Sequence, residues 1–361
     1  MANESPPQGK PGTPDDGAPG FFGLIRNFFT GLFGRKPREP GHFVTGSKFS
    51  WRGSLTSAPW LWPSRDYLLY VPSGYSGWKR RTLLVLLHGC KQNPEDFAAA
   101  TRIAALADSE GMLVLLPRQN ERANAWGCWN WFDKRTAEGA GESAIVAAQV
   151  RAVRRRYRVH PRRIFAAGMS SGGSLAAVLG LRYPEMFAGI AVHSGIAAGA
   201  AASPLSAFKV MTNGADTRVE SIADDARRSS SSSALPVALL VIHGDNDTTV
   251  AAVNAVQLVS QYLVFNGRLP PTPGMRDLPA ADEHAAVTQG GARPMTIDDY
   301  RVEGRLVARL VRIAGLGHAW SGGDGAFAYN DPAPPPATRL IADFIAAALQ
   351  PGGKKRWPFK V

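Results

Sequence analysis

One stretch narrows the choice of fold more than any other: IFAAGMSSGGSLAAVLG, residues 164–180. Ile164–Ala167 reads as a strand and Ser174–Leu181 as a helix, with Gly168-Met169-Ser170-Ser171-Gly172 between them. So short a connection turns the chain abruptly, strains the central serine and lifts its hydroxyl above the sheet edge. Side chains two residues before and after Ser170 would collide across that turn, which requires glycine at 168 and 172. The helix that follows points its amide-rich end at the same spot, where it favours developing negative charge. Ser170 is therefore the candidate nucleophile.

The flanking chain agrees with that reading. Tyr67–Val71, Leu83–Leu87, Met112–Leu116, Gly189–Val192, Val237–Ile242 and Leu306–Ile313 are short apolar runs interleaved with helical stretches. Strands that are apolar throughout imply burial on both faces, hence a mostly parallel central sheet with helices on both sides, an α/β fold. Ala144–Arg158 is the clearest helix: Val146, Val150, Val153 and Tyr157 share one face, Arg151, Arg154, Arg155 and Arg158 the other. Thr338–Leu349 closes the domain on Leu340, Ile341, Phe344 and Ile345. Ala197–Ala234, with its serine run, and Asn266–Asp298 read as loop-like insertions.

The ends differ in composition. Residues 1–20 are Pro, Gly and charge with little to bury, and read as a disordered arm. In the next segment Phe21, Ile25, Phe28 and Leu32 line one side of a helical wheel, opposite Arg26, Asn27 and Thr30. An amphipathic helix over about 20–36 follows, either docked on the domain or anchored to a polymer-granule or lipid surface through Phe21–Phe33. A long acidic beginning, Arg26 inside the apolar run and no small-residue cleavage site argue against a signal peptide. The expected organisation is an arm, helix and linker over 1–50, one α/β domain over 51–349 and a basic tail over 350–361.

Composition excludes several classes. Two cysteines among 361 residues cannot make a disulfide scaffold, and 45% hydrophobic with 19% charged residues is too apolar for a disordered chain. A net charge of +12 raises the question of nucleic acid. The arginines between Arg151 and Arg163 fall on a solvent-facing helix side with no stacking platform beside them, so no nucleic-acid partner is expected.

Partners for Ser170 follow it in chain order. The strand ending at Ile242 runs into His243-Gly244-Asp245-Asn246-Asp247, where a carboxylate can orient an imidazole. Of the two, Asp247 is the choice, because Asp245 falls in the tight turn directly after the strand. His318, in Gly315-Leu316-Gly317-His318 after the strand ending at Ile313, is the candidate general base. Two backbone amides are needed for an oxyanion: Ser171, next to the nucleophile, and Cys90, in the loop after Leu83–Leu87. His88 and His243 end strands and read as packed imidazoles; His193 is open. Trp126, Trp129, Trp131 and Phe132 crowd one stretch, and Trp320 follows His318. Trp129, Trp131 and Trp320 are expected to wall an apolar substrate cleft. No cofactor is expected, and no HExxH or cysteine–histidine cluster offers a metal site.

LLVLLHGCKQNPEDF, CWNWF, GMSSGG, VHSG, HGDNDTTV and GLGHAWSGGD, in that order, resemble the catalytic domain of polyhydroxybutyrate depolymerase-type esterases. That group is related to feruloyl and acetylxylan esterases on the α/β-hydrolase fold, and the likeness covers roughly residues 64–348. It implies the triad Ser170, Asp247 and His318, a Cys90–Cys128 disulfide beside the oxyanion loop, and export to an extracellular or periplasmic location. Without a recognisable signal peptide, a cytoplasmic or granule-associated enzyme with two buried thiols is the alternative. The expected function is hydrolysis of carboxylic esters through an acyl-enzyme, on poly(3-hydroxybutyrate) or short hydroxyalkanoate esters. Alternatives are a feruloyl- or acetylxylan-type or small-ester carboxylesterase, and a non-catalytic surface-coating protein on the same fold.

Overall fold

Leu83, Val85 and Leu87 pack into one apolar cluster while Leu84 and Leu86 pack into another, so the two faces of a single strand feed two cores. A computed structural model describes residues 39–50, 64–216, 219–231, 236–272, 276–288 and 290–351. The expected arm and amphipathic helix, Phe21–Phe33 included, and the basic tail beyond residue 351 lie outside these.

Ten strands form one sheet among the described residues. They are β1 (His42–Phe49), β2 (Ser64–Val71), β3 (Arg81–Leu87), β4 (Leu113–Pro117), β5 (Val159–Met169), β6 (Gly189–His193), β7 (Ala238–Gly244), β8 (Glu283–Val287), β9 (Met295–Val302) and β10 (Arg305–Ile313). Their spatial order is β1-β2-β4-β3-β5-β6-β7-β10-β9-β8. The six from β4 to β10 run parallel, with antiparallel strands added at both edges.

Helices cover both faces. On one lie α1 (Pro94–Ala100), α2 (Ile103–Glu110) and the closing helix Ala337–Ala348, through Phe97, Ile103, Leu340 and Phe344. The other carries α3 (Lys134–Ala137), α4 (Gly141–Arg156), α5 (Ser171–Arg182), α6 (Pro204–Asn213), α7 (Val219–Ser229) and α8 (Val253–Phe265). The closing helix is thus α9. In α4, Val146, Val150 and Val153 are buried and Arg151, Arg154 and Arg155 exposed, with Glu142 in the first turn and arginines in the last, the arrangement the helix dipole favours.

Three expectations need correction. The linker expected before residue 51 is not all linker: His42–Phe49 pairs antiparallel with β2, His42 opposite Val71. Ala197–Ala234 contains α6 and α7, the former started by a reciprocal Ser203–Ser206 capping box. Asn266–Asp298 contains β8 and the beginning of β9, so it extends the sheet. β9 is held to β10 by the cross-strand pair Asp299–Arg309, a buried two-point ion pair at 2.6 and 2.7 Å.

Candidate active site

β5 ends at Met169 and α5 begins at Ser171, so Ser170 alone makes the turn, at φ 54° and ψ −120°. A non-glycine residue held there costs about 1–3 kcal/mol and must be over-determined by its surroundings. Its N–H donates to His193 O at 2.9 Å, and its carbonyl accepts from Ser174 N–H (2.9 Å) and the Ser174 hydroxyl (3.1 Å). The expected steric demand for glycine is visible. A Cβ on Gly168 would lie 2.4 Å from Gly172 C, and one on Gly172 would lie 2.3 Å from Leu87 O.

The carboxylate and the imidazole come from loops after β7 and β10, neighbouring parallel strands. Asp247 is buried; its Oδ1 accepts from Thr249 N–H (3.0 Å) and Val250 N–H (2.9 Å), while Oδ2 lies 2.8 Å from His318 Nδ1. An ionised carboxylate only accepts, so Nδ1 carries the proton and Nε2 keeps its lone pair. Burial works against the Asp247 charge, but the His318 hydrogen bond and charge, with the Val250 amide and His243, outweigh it and hold the carboxyl at about 2. Asp245 accepts from Gly315 N–H at 2.6 Å and takes no part in this pair.

The other strand-end histidines are packed. Burial pushes His88 down to about 4; its Nδ1 donates to Gly89 O at 2.8 Å and its Nε2 accepts from Gln119 N–H at 3.2 Å. His193 stacks on Trp320 at 5.2 Å and accepts from Ser321 N–H at 3.4 Å, and burial lowers it to about 3. Nothing in the sequence assigns His193 a role. Its carbonyl grips the Ser170 amide and its ring steadies the chain just after His318, a supporting role with no motif to announce it.

Leu87 pairs with Gly168, which sets the loop after β3 against the Ser170 turn. The Gly89 amide is taken by Gln92 Oε1 at 2.8 Å. Among the described residues no acceptor takes the Cys90 or Ser171 amide, the two expected to hold an oxyanion. Cys90 and Cys128 form a disulfide across 38 residues of chain. The Ser171 hydroxyl, 3.4 Å from Cys90 Sγ, also accepts from Trp129 N–H at 3.4 Å, tying the bridge to the start of α5. Around the bridge, residues 119–130 are organised by the buried Glu142 carboxylate. It accepts from Gln119 Nε2 (2.6 Å), Asn130 N–H (2.7 Å) and Asn130 Nδ2 (2.9 Å).

The aromatic cleft is a correction. Trp129, Trp131 and Trp320 are 1%, 5% and 1% exposed, so they fill the core and leave no face for a substrate. Trp129 Nε1 donates to His88 O, and Trp320 Nε1 to Thr338 Oγ1. Within the aromatic stretch Trp126–Phe132 the exposed ring is Trp126 (63%), with the Lys91 ammonium over it at 4.7 Å. Burial of a ring is decided by distant chain, which local spacing does not report. Among the described residues no group of three or more His, Cys, Asp or Glu is placed to hold a metal.

The family described as Esterase PHB depolymerase matches residues 65–285. Poly(3-hydroxyalkanoate) depolymerase C of Paucimonas lemoignei is 30% identical over 237 residues, 65% of this chain and 56% of that protein. Feruloyl esterase B of Neurospora crassa is 31% identical over 150 residues, 40% of this chain and 50% of that protein. The chain thus spans about half the length of the curated relatives it matches. Among solved structures, an acetyl xylan esterase from Aspergillus awamori aligns with a TM-score of 0.60 at 21% identity, covering 76% of this chain and 94% of that one. That likeness concerns the fold.

Proposed function

The chain belongs to the Esterase PHB depolymerase family, and from that premise we propose that it is a serine hydrolase of carboxylic esters, acting on short hydroxyalkanoate esters or their polymer. The observation that carries the reading is the 2.8 Å Asp247–His318 contact at the same carboxyl end of the parallel strands as a serine at φ 54°. With Nδ1–H engaged by Asp247, His318 Nε2 takes the proton of Ser170 as Oγ attacks the ester carbonyl. The Cys90 and Ser171 amides receive the oxyanion. His318 then gives its proton to the departing alcohol, and water attacks the acyl-enzyme by the reverse proton path. Asp247, ionised at any pH above about 2, stabilises the imidazolium formed in both steps.

Relatives named for polyhydroxyalkanoates support the hydroxyacid substrate; the feruloyl and acetylxylan esterases support a second reading, an aryl or acetyl ester of a plant polysaccharide. The disulfide favours an oxidising compartment. The test is turnover of a chromogenic butyrate ester, with release of 3-hydroxybutyrate compared with release of ferulate. Ser170→Ala should lower kcat by at least about 10⁴-fold. Full turnover in that variant would remove the nucleophile assignment, and preferential release of ferulate would select the second reading.

A further inference from the structure

Beside the oxyanion loop opens a cavity of about 990 Å³ whose wall includes Lys91, Trp126, Arg118 and Arg122. Lys91 follows Cys90 directly, at φ 60°, with its amide donating to Trp126 O at 2.8 Å. Its ammonium lies over the exposed Trp126 indole at 4.7 Å, a weak contact that biases where the charge sits before any ligand arrives. The Cys90–Cys128 bridge pins the two segments that carry this pair.

The cations of the wall are unequal. Arg118 is paired with Glu95, and the Arg65 guanidinium faces Glu142 at 3.6 Å and Gln119 Oε1 at 3.1 Å. Asp66 and Glu121 also line the cavity. Among the described residues neither these nor any other carboxylate lies within ion-pair distance of Lys91 or Arg122. An uncompensated, pre-positioned positive charge in a concave wall, one residue from the oxyanion amide, draws anions to that spot.

We propose that Lys91, supported by Arg122, forms a subsite for a free carboxylate on the substrate, so that short linear hydroxyacid oligomers with an ionised end are preferred over neutral esters. This rests on the ester-hydrolase reading above. Each cleavage within an oligo(hydroxyacid) leaves one new carboxylate, so such ends accumulate as the reaction proceeds.

The experiment compares kcat/KM for a linear 3-hydroxybutyrate trimer and for the same trimer with its terminal carboxylate replaced by a primary amide. The wild-type protein should prefer the acid by about fivefold, chiefly through KM. The preference should shrink at about 0.5 M salt, fall toward unity in Lys91→Gln, and survive in Lys91→Arg. The ratio is unmoved by a general loosening of the oxyanion loop, which affects both trimers alike. Equal kcat/KM for acid and amide in the wild type, or an undiminished preference in Lys91→Gln, overturns the subsite. If the chromogenic butyrate ester is still cleaved, only the subsite falls; if no ester is cleaved, the hydrolase reading falls with it. A parallel pair, the mono-p-nitrophenyl ester of glutarate against p-nitrophenyl pentanoate, separates a carboxylate on the acyl group from one on the leaving alcohol. A Lys91-dependent preference in the trimer pair supports the subsite, and one confined to the glutarate pair overturns it for oligomer ends.

Discussion

Gly172→Ala tests the elbow most directly. The added methyl would sit 2.3 Å from Leu87 O and 2.5 Å from His88 O, and both neighbours are backbone. An ordinary carbon–oxygen contact needs about 3.3 Å, so the N-terminus of α5 and the end of β3 must part by about 1 Å. No side chain can swing aside to spare them. The first carries the Ser171 amide and the second leads into Cys90, so relief of the clash separates the two proposed oxyanion donors. A displacement of that size costs about 10²-fold in rate, and overpacking about 1–3 kcal/mol in stability. Thermal melts and kcat/KM on a chromogenic butyrate ester, with Gly77→Ala as control, measure both; a Cβ at Gly77 meets nothing within 4 Å. Wild-type turnover in a folded Gly172→Ala protein would refute the idea that close backbone contact at this point sets the oxyanion geometry.

Three further outcomes are expected. Asp247→Asn would present an amide to His318 Nδ1 and impose the tautomer protonated on Nε2, so kcat should fall by about 10⁴-fold while Oδ1 can still accept from Thr249 and Val250; a decrease under tenfold would contradict it. Cys90→Ser with Cys128→Ser should cost about 4 kcal/mol from the 38-residue separation, read as a lower urea midpoint, and an unchanged midpoint would count against the loop-closure account. Stability should also depend on pH through His88, whose value is near 4 when folded against an ordinary 6.5. The unfolded chain binds the extra proton between those values, so the His88 contribution is full above 6.5, declines by about 3 kcal/mol as pH falls to about 4 and levels there. Buried His193, lowered to about 3, carries its own loss, which continues down to that value. Asp247 adds a separate loss only as pH falls from 3.8 toward about 2. Urea midpoints that match at about pH 7.5 and about pH 4.5 would show that His88 is not held neutral.

What could be read from the chain was what local sterics and chain order determine. Gly168 and Gly172 announced the turn because the clash they avoid lies within a few residues or on the adjoining strand. Asp247 and His318 were legible from their positions after apolar strands, and the tight-turn argument separated Asp247 from Asp245. The errors share a different cause. β1, HFVTGSKF, has only a mixed alternation, and Gly46 fits because its missing Cβ leaves room for the Tyr67 ring, a contact made only after pairing. β8 is a five-residue edge strand carrying Glu283 and His284, too short and polar to stand out. In α7 the buried residues are Val219, Glu220, Ala223 and Ala226, a carboxylate among mostly small side chains whose spacing is easily passed over beside a serine run. Trp129 and Trp320 were placed beside the right loops but on the wrong side of the surface, since their burial depends on His88, His193 and Thr338, remote in sequence.

The chain supplies its proposed reacting groups in the order 170, 247, 318, and β10, the strand that delivers the last, must insert between β7 and β9. During synthesis the serine and the carboxylate therefore emerge before the imidazole, and on the proposed mechanism the set is complete only once residue 318 and the strand before it are in place. An activity-based probe aimed at Ser170 would on that mechanism pass over chains that stop before β10, serving as a census of assembled sheets in a translating extract.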